Sequence, residues 1–457
     1  MDIDRRGFLA ISALAPTAGP LQAAPTPAPR PSPSPSALGL EAVHFGVVPG
    51  SPDDQTRALQ YAIDQAAGVR VPLVLRPGVY RAAGLKLPAG AQLIGVRGAT
   101  RLILTQASPL LDSKGADHIT LSGLTIDGGG KLLPENRGLV QLSVGRGIRI
   151  IDCEVINPGR NGMVLEAIEG EVHGNTISGA GNSGLFSLNA RGLTIAGNTV
   201  WGCGNNGIQV WRSEAGDDGT FVVGNRIEQI SAVSGGSGQN GNAVNIFRAA
   251  NVTVRNNRIN TVAFSAVRGN AASNLQVTGN LCAACGEVAL YAEFGFEGAV
   301  IAHNSVDGAA IGVAVTNFNH GGRLAVVQGN VIRHLTLKRP PGTDPDDGAG
   351  IGIGVEADTA VTGNVIEDAP VAGIALGWDR YLRDVTVTGN VVRNAGVGIA
   401  VSVSPGAGAA VIADNLIADT RRGAIVGMEL KRPVTGDLAR EGAGRFAQLA
   451  ISGNRVR

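Results

Sequence analysis

Aromatic side chains are scarce in this chain, at 4% of 457 residues, and no apolar run of ten or more recurs at a 3.6-residue period. The second lack excludes a helical repeat. Charge of one sign is also missing. The formal net charge is +1, so nothing in the overall balance recruits nucleic acid or an anionic membrane, and any polyanion site must rest on a local patch. Four cysteines, Cys153, Cys203, Cys282 and Cys285, are few for an exported disulfide scaffold. Cys282 and Cys285 form a CxxC with no second CxxC or nearby His to complete a zinc set. They read as small buried hydrophobes in turns, ahead of a disulfide and well ahead of a metal or redox role. No apolar stretch is long enough for a mature transmembrane span. What is abundant is Gly, 67 residues, with a 44% apolar share that is mostly Val, Ile, Leu and Ala, which is strand-and-turn material.

The first residues read as an export signal. "DRRGFLAISALAPTAG" places Arg5 and Arg6 before Phe8 and Leu9 and a short run ending in small residues, a pattern that resembles a twin-arginine signal for substrates exported folded. The expectation is a signal peptide over 1–24, a Pro-rich extended linker over 25–37 ("APTPAPRPSPSPSA") and a folded body over 38–457. The expected partner for export is the twin-arginine machinery, and the expected location is periplasmic or secreted.

The body repeats. Aligned on a recurring Asn, the units run through Asn175, Asn198, Asn225, Asn257, Asn280, Asn304, Asn330, Asn364, Asn390, Asn415 and Asn454, mostly 22 to 27 residues apart. Each reads as a strand such as "VTVTG", the Asn, a second short strand, a polar turn, and a third strand such as "GIQVW", "GVAVT", "GIALG" or "GIAVS". Three short strands per unit make one turn of a coil. A coil cannot bury its inward side alone, so coils stack. At about 4.8 Å per coil, about a dozen form an all-β parallel solenoid roughly 60 Å long. The Asn amide then donates to one coil and accepts from the next, as a ladder at a corner that tolerates left-handed backbone, while the preceding Gly admits positive φ.

Residues 38–100 have another pattern. Asp53 or Asp54 can cap a helix through "TRALQYAIDQAA", whose apolar residues fall at helical spacing, and "PLVLRPGVY" and "AQLIGV" follow as strands. Such a helix covers the open first coil. This stretch resembles the N-terminal cap of the pectate-lyase-like superfamily, and the repeats are similar to the right-handed β-helix repeats of mannuronan C5-epimerases. The whole chain resembles the twin-arginine-translocated repeat proteins, a family without an established activity. The resemblance implies a right-handed parallel β-helix with a helical cap, and leaves the chemistry open.

Function is expected on the outward positions of the Gly-Ile-x-Val strand, which is flat and continuous through the stack. With Gly as position one, positions three and five face out. In the late coils these are small, Ala375 and Gly377, then Ala400 and Ser402. In the middle coils they are Gln209 and Trp211, Asn245 and Phe247, Arg268 and Asn270, Tyr291 and Glu293, with Arg212, Arg248, Asn317 and His320 just past their strands. Aromatic rings stack on sugar C–H faces and planar polar groups read hydroxyls and uronates, so Gln209, Trp211, Arg212, Asn245, Phe247, Arg248, Asn270 and Asn317 are expected to contact a polysaccharide. For chemistry beside a uronate, Arg268, Arg212 and Arg248 are the expected clamps, with Tyr291 or His320 handling protons. For hydrolysis Glu293 needs a second carboxylate, with Glu297 or Glu356 available. Mannuronan epimerases carry an Asp-Pro-His-Asp set on the equivalent strand, which this chain lacks, although Arg212 and Arg248 match a recurrent Arg of those repeats.

Two insertions, "EQISAVSGGSGQNGN" and "RHLTLKRPPGTDPDDGAG", interrupt the corner before this strand and are placed to wall a groove. Asp344, Asp346 and Asp347 fit no complete calcium-loop motif and read as a solvated acidic turn. No cofactor motif is present. The expected function is binding, with cleavage or epimerisation, of a polysaccharide on the central groove. The alternative is a non-enzymatic envelope adhesin or scaffold.

Overall fold

The computed structural model describes residues 38–457 except 237, 345 and 346. The signal and linker readings therefore lie outside the described residues, as does Asp346. Each coil contributes three strands, and each strand pairs in parallel with its counterpart one coil on. Thr194–Ala196 pairs with Phe221–Val223, which pairs with Thr253–Arg255. Thr199–Cys203 pairs with Arg226–Ile230, then Arg258–Val262. Asn206–Asp217 pairs with Asn242–Ala250, then Val267–Asn270. These three series form the first, second and third faces of a right-handed parallel β-helix of about 14 turns. There are more turns than Asn repeats because coiling begins before the repeat does: Leu40–Glu41 already pairs with Leu73–Val74, and that strand with Gln92–Ile94.

Period-two alternation fills the interior. On the first face Ile195, Val222 and Val254 are buried, and on the third Ile208, Val210 and Ile246. The asparagines form one continuous ladder. Asn280 Nδ2 donates to Val254 O and Asn304 Oδ1, each at 3.0 Å, while its Oδ1 accepts from the backbone N and Nδ2 of Asn257, both at 3.0 Å. The left-handed residue is not the Asn itself but the one before it. Gly279 has φ +68°, and Asn256, His303 and Asp414 take the same conformation where Gly is absent. In the two coils before Asn175 the corner position holds buried Leu124 and Cys153 instead, so the ladder ends by donation from Cys153 N to Asn175 Oδ1 at 2.9 Å. Asn280→Ala removes an amide that makes four bonds in a fully buried corner. It is expected to cost about 1–3 kcal/mol, read as a lowered melting temperature, and a near-neutral shift would refute the ladder's contribution.

The first coil and the last strand of the third face are covered. The helix Thr56–Gly68 buries Leu59, Ala62, Ile63, Ala66 and Ala67 against the first coil, and Asp54 Oδ1 accepts from Thr56 N at 2.9 Å. At the other end Ile425–Glu429 folds back antiparallel onto Arg432–Asp437. The Asp437 carboxylate accepts the edge amides of Ala424 at 3.0 Å and Ile425 at 3.1 Å, which the sequence pattern did not announce. All four cysteines are free and buried. Burial pushes the Cys153, Cys203 and Cys285 thiols up to about 12, so they stay protonated and inert. Among the described residues no helix is long and apolar enough to cross a membrane.

Candidate functional site

The third face carries two outward stripes. In register on consecutive coils lie Gln209, Asn245, Arg268 and Tyr291, continuing as Ala314, Gly354, Ala375 and Ala400. Beside them run Trp211, Phe247, Asn270 and Glu293. Outward does not mean exposed here, because the two insertions fold over the middle coils. Gly238 O, from the first insertion, accepts from Asn245 Nδ2 at 2.8 Å. Arg339, from the second, reaches Glu287 Oε1 at 2.8 Å, Asp347 Oδ2 at 3.1 Å and Gly348 O at 2.6 Å. Beneath this roof Gln209, Asn245, Arg268, Glu287 and Glu293 are buried.

The roof changes the roles expected of these residues. Arg268 gives Nε and Nη2 to Glu293 at 2.7 and 2.9 Å and Nη1 to Glu287 at 3.0 Å, with its guanidinium 4.9 Å from the Tyr291 ring centroid. It is a structural ion pair rather than a free clamp, and Glu293, also bonded by Asn270 Nδ2 at 3.0 Å, is no available acid. Trp211 packs between Phe186, edge to face, and Phe247, tilted, with centroids 5.5 Å apart on each side, and donates Nε1 to Asn245 Oδ1 at 3.1 Å. Arg212 bonds Ala190 O and Glu214 O, and Arg248 lies over Phe247 while bonding Ser213 O. His320 sits exposed on the turn Phe318–His320 with its ring 5.6 Å from Phe294, and does not line the cavity that holds Tyr291. Glu297 is paired with Arg323.

The open part of the face begins at Tyr291. The small outward residues Ala314, Gly354, Ala375 and Ala400 form a floor, and two adjoining cavities of about 340 and 350 Å³ lie over it. Asp347 and Gly348 of the second insertion and Trp378 border both. Asp347 comes from the loop entering strand Ile351–Val355 and Glu356 from the residue leaving it, so the two residues border the first cavity from opposite ends of one strand. Glu356 Oε2 accepts from Phe318 N at 2.7 Å, yet burial outweighs this bond and pushes its pKa up. Asp347 is held beside Arg339. Burial first, then the Glu293 charge, pushes the Tyr291 phenol up, leaving it a proton donor. Asn317 lines the same cavity.

Sequence reasoning passed over this groove because it treated small outward residues as an empty stretch. The signal was "GIALGW", in which Trp378 directly follows the small positions Ala375 and Gly377. A larger depression of about 640 Å³ on the first face is shallower in chemistry. The pKa of its Asp358 carboxyl is lowered by hydrogen bonds from Arg383, at 2.6 and 2.8 Å, and by Arg323.

The family described as Right handed beta helix region matches residues 107–227. No curated protein matches the sequence. Among solved structures, the chain is similar to the N-terminal fragment of gene product 12 of bacteriophage Phi29, at 14% identity and TM-score 0.51, covering 86% of this chain and 69% of that one. It is also similar to the catalytic unit of the GH87 α-1,3-glucanase from Streptomyces thermodiastaticus strain HF3-3, at 16% identity and TM-score 0.49, covering 93% and 69%. For a mannuronan C-5 epimerase A-module from Azotobacter vinelandii the values are 17% and 0.44, covering 91% and 99%. At such identities the likeness is one of fold alone.

Proposed function

We propose that this β-helix protein is exported by the twin-arginine route and binds and hydrolyses a polysaccharide in the groove running from Tyr291 to Ala400. The observation that carries the reading is the pair Glu356 and Asp347, brought to one cavity from opposite ends of a strand over a floor of small residues. Glu356 is half-buried, and Asp347 is exposed beside Arg339. Glu356, driven toward its neutral form by burial, gives its proton to the glycosidic oxygen as the bond to the anomeric carbon breaks. Asp347, paired with Arg339, takes a proton from the water whose oxygen bonds that carbon. One water is consumed and two sugar ends are released.

Trp378, 41% exposed at the groove edge, offers a stacking surface for a pyranose ring. The lyase or epimerase roles expected of Arg268 and Tyr291, as the cation on a uronate and the carrier of its neighbouring proton, are not favoured. Arg268 is consumed by Glu293 and Glu287, and Tyr291 holds its proton. The same internal pairing of middle-coil charges is what an envelope scaffold would have, and keeps that reading as the alternative. Calorimetric titration with oligosaccharides separates the two. Trp378→Ala is expected to weaken binding by about 1–3 kcal/mol, the scale of a buried aromatic contact. Unchanged affinity in that variant would move the site away from the groove.

A further inference from the structure

The second half of the groove is unlike a surface that reads sugar hydroxyls. Around its cavity of about 350 Å³, the charged residues among those described are Asp347, Arg422 and Lys431, and the one hydroxyl side chain among them, Ser402, already donates to Asp379 O. The remaining lining is largely aliphatic. Ala372, Val397 and Val426 are buried with Val371, Ala400 and Met428 packed on them, a hydrophobic cluster separate from the main core. At the mouth stand Leu337 and Leu430, 65% and 52% exposed, with Trp378. Leu337 comes from the second insertion and Leu430 from the turn after strand Ile425–Glu429, so two separate elements each hold a large apolar chain in water over one cavity. Leaving such side chains exposed gains nothing for folding, whereas burying them under an apolar ligand is favourable by roughly 25 cal/mol per Å² covered.

Continuity fixes the class of ligand. This cavity shares Asp347, Ile351, Ala375, Gly377 and Trp378 with the cavity that holds Glu356, so the two are continuous and have room for one molecule across both. We infer that the groove takes a saccharide carrying a saturated hydrocarbon chain, with the sugar at Trp378 and Glu356 and the chain lying along Val371, Val397, Ala400 and Met428. The inference rests on the glycan reading of the groove and names its substrate class as a glycolipid or acylated glycan. The sugar stacks on Trp378 where polar groups begin, and the chain removes the exposed apolar lining from water.

The test compares methyl β-D-glucopyranoside, n-octyl β-D-glucopyranoside below its micelle concentration, the octanoyl ester of methyl glucoside, and octanoate, each by calorimetry on the full chain. Octyl glucoside is expected to bind at least about tenfold more tightly than methyl glucoside, the range of a partly buried chain. The ester following suit assigns an acylated glycan, and octyl glucoside alone a lipid aglycone. Leu430→Gln, at the mouth of this cavity and not bordering the other, is expected to reduce the gain from the chain while leaving chain-free oligosaccharides bound. Met428→Gln, of similar length, reduces the gain without filling space. Equal affinity for the octyl and methyl glucosides, with chain-free oligosaccharides still bound, overturns this inference and leaves the glycan reading standing. Octanoate binding as tightly as octyl glucoside overturns it by making the cavity a site for free lipid. Failure of every saccharide, with or without a chain, removes the glycan reading itself.

Discussion

Arg268→Ala is expected to destabilise the protein by about 3–5 kcal/mol, the cost of leaving buried carboxylates without their cation. The ion pairs it makes to Glu293 and Glu287 are at 2.7 and 3.0 Å, with all three side chains almost wholly removed from solvent. After the change Glu287 keeps Arg339 at 2.8 Å, but Glu293 keeps only the amide of Asn270. Burial already pushes the Glu287 carboxyl up against the opposing pull of Arg268 and Arg339, and removing Arg268 raises it further. A carboxyl whose folded pKa exceeds its unfolded one contributes stability in the protonated state, so the deficit of Arg268→Ala should shrink as pH falls through that raised value. Denaturant unfolding of both proteins at neutral and acid pH measures it. A surface-like loss below about 0.5 kcal/mol at neutral pH would mean that the network is not closed by the insertions.

Glu356→Gln is expected to lose glycan cleavage by about 10²–10⁴-fold, the usual contribution of a positioned acid, while the fold becomes more stable at neutral pH. The amide keeps an oxygen to accept from Phe318 N and removes the cost of a buried charge. The sign follows from linkage. Because burial raises the folded carboxyl above its usual 4.5, the native state holds the proton between the two values, and stability falls as pH rises through that window. The advantage of the Gln variant is therefore present at neutral pH and disappears as pH falls toward the unfolded carboxyl range. A variant less stable than wild type at neutral pH would mark Glu356 as a structural anchor.

The parts legible in the sequence were those with a period. The helix over "TRALQYAIDQAA" declared itself by apolar residues at i, i+3, i+4 and i+7, and the outward register of Gln209, Asn245, Arg268 and Tyr291 by alternation after the small residues Gly207, Ala243, Ala266 and Ala289. The Asn corner was legible because a stacked amide is satisfied only by its copies above and below, though the left-handed strain falls on the residue before it. What lay beyond reading was the course of the insertions. A Gly- and Pro-rich loop has no period to say whether it walls a groove or lies down on it, and the contact that decides this, Arg339 to Glu287, spans 52 residues. The two insertions together, meeting the face at Asn245 and at Glu287, turn Arg268 and Glu293 from surface chemistry into buried structure. The groove was missed for the opposite reason, since a concavity is made by the smallness of Ala314, Gly354, Ala375 and Ala400, and small residues carry no chemical signal of their own.

The central claim is that Glu356 and Asp347 work on a glycan in the late-coil groove. The most direct measurement is the release of reducing ends from a polysaccharide panel by the wild-type protein and by Glu356→Gln at equal concentration, with the variant's fold verified by its thermal transition. The account predicts new reducing ends from at least one polymer with the wild type and a loss of at least about a hundredfold in the variant. Equal release by both proteins, or release by neither across the panel, would contradict it.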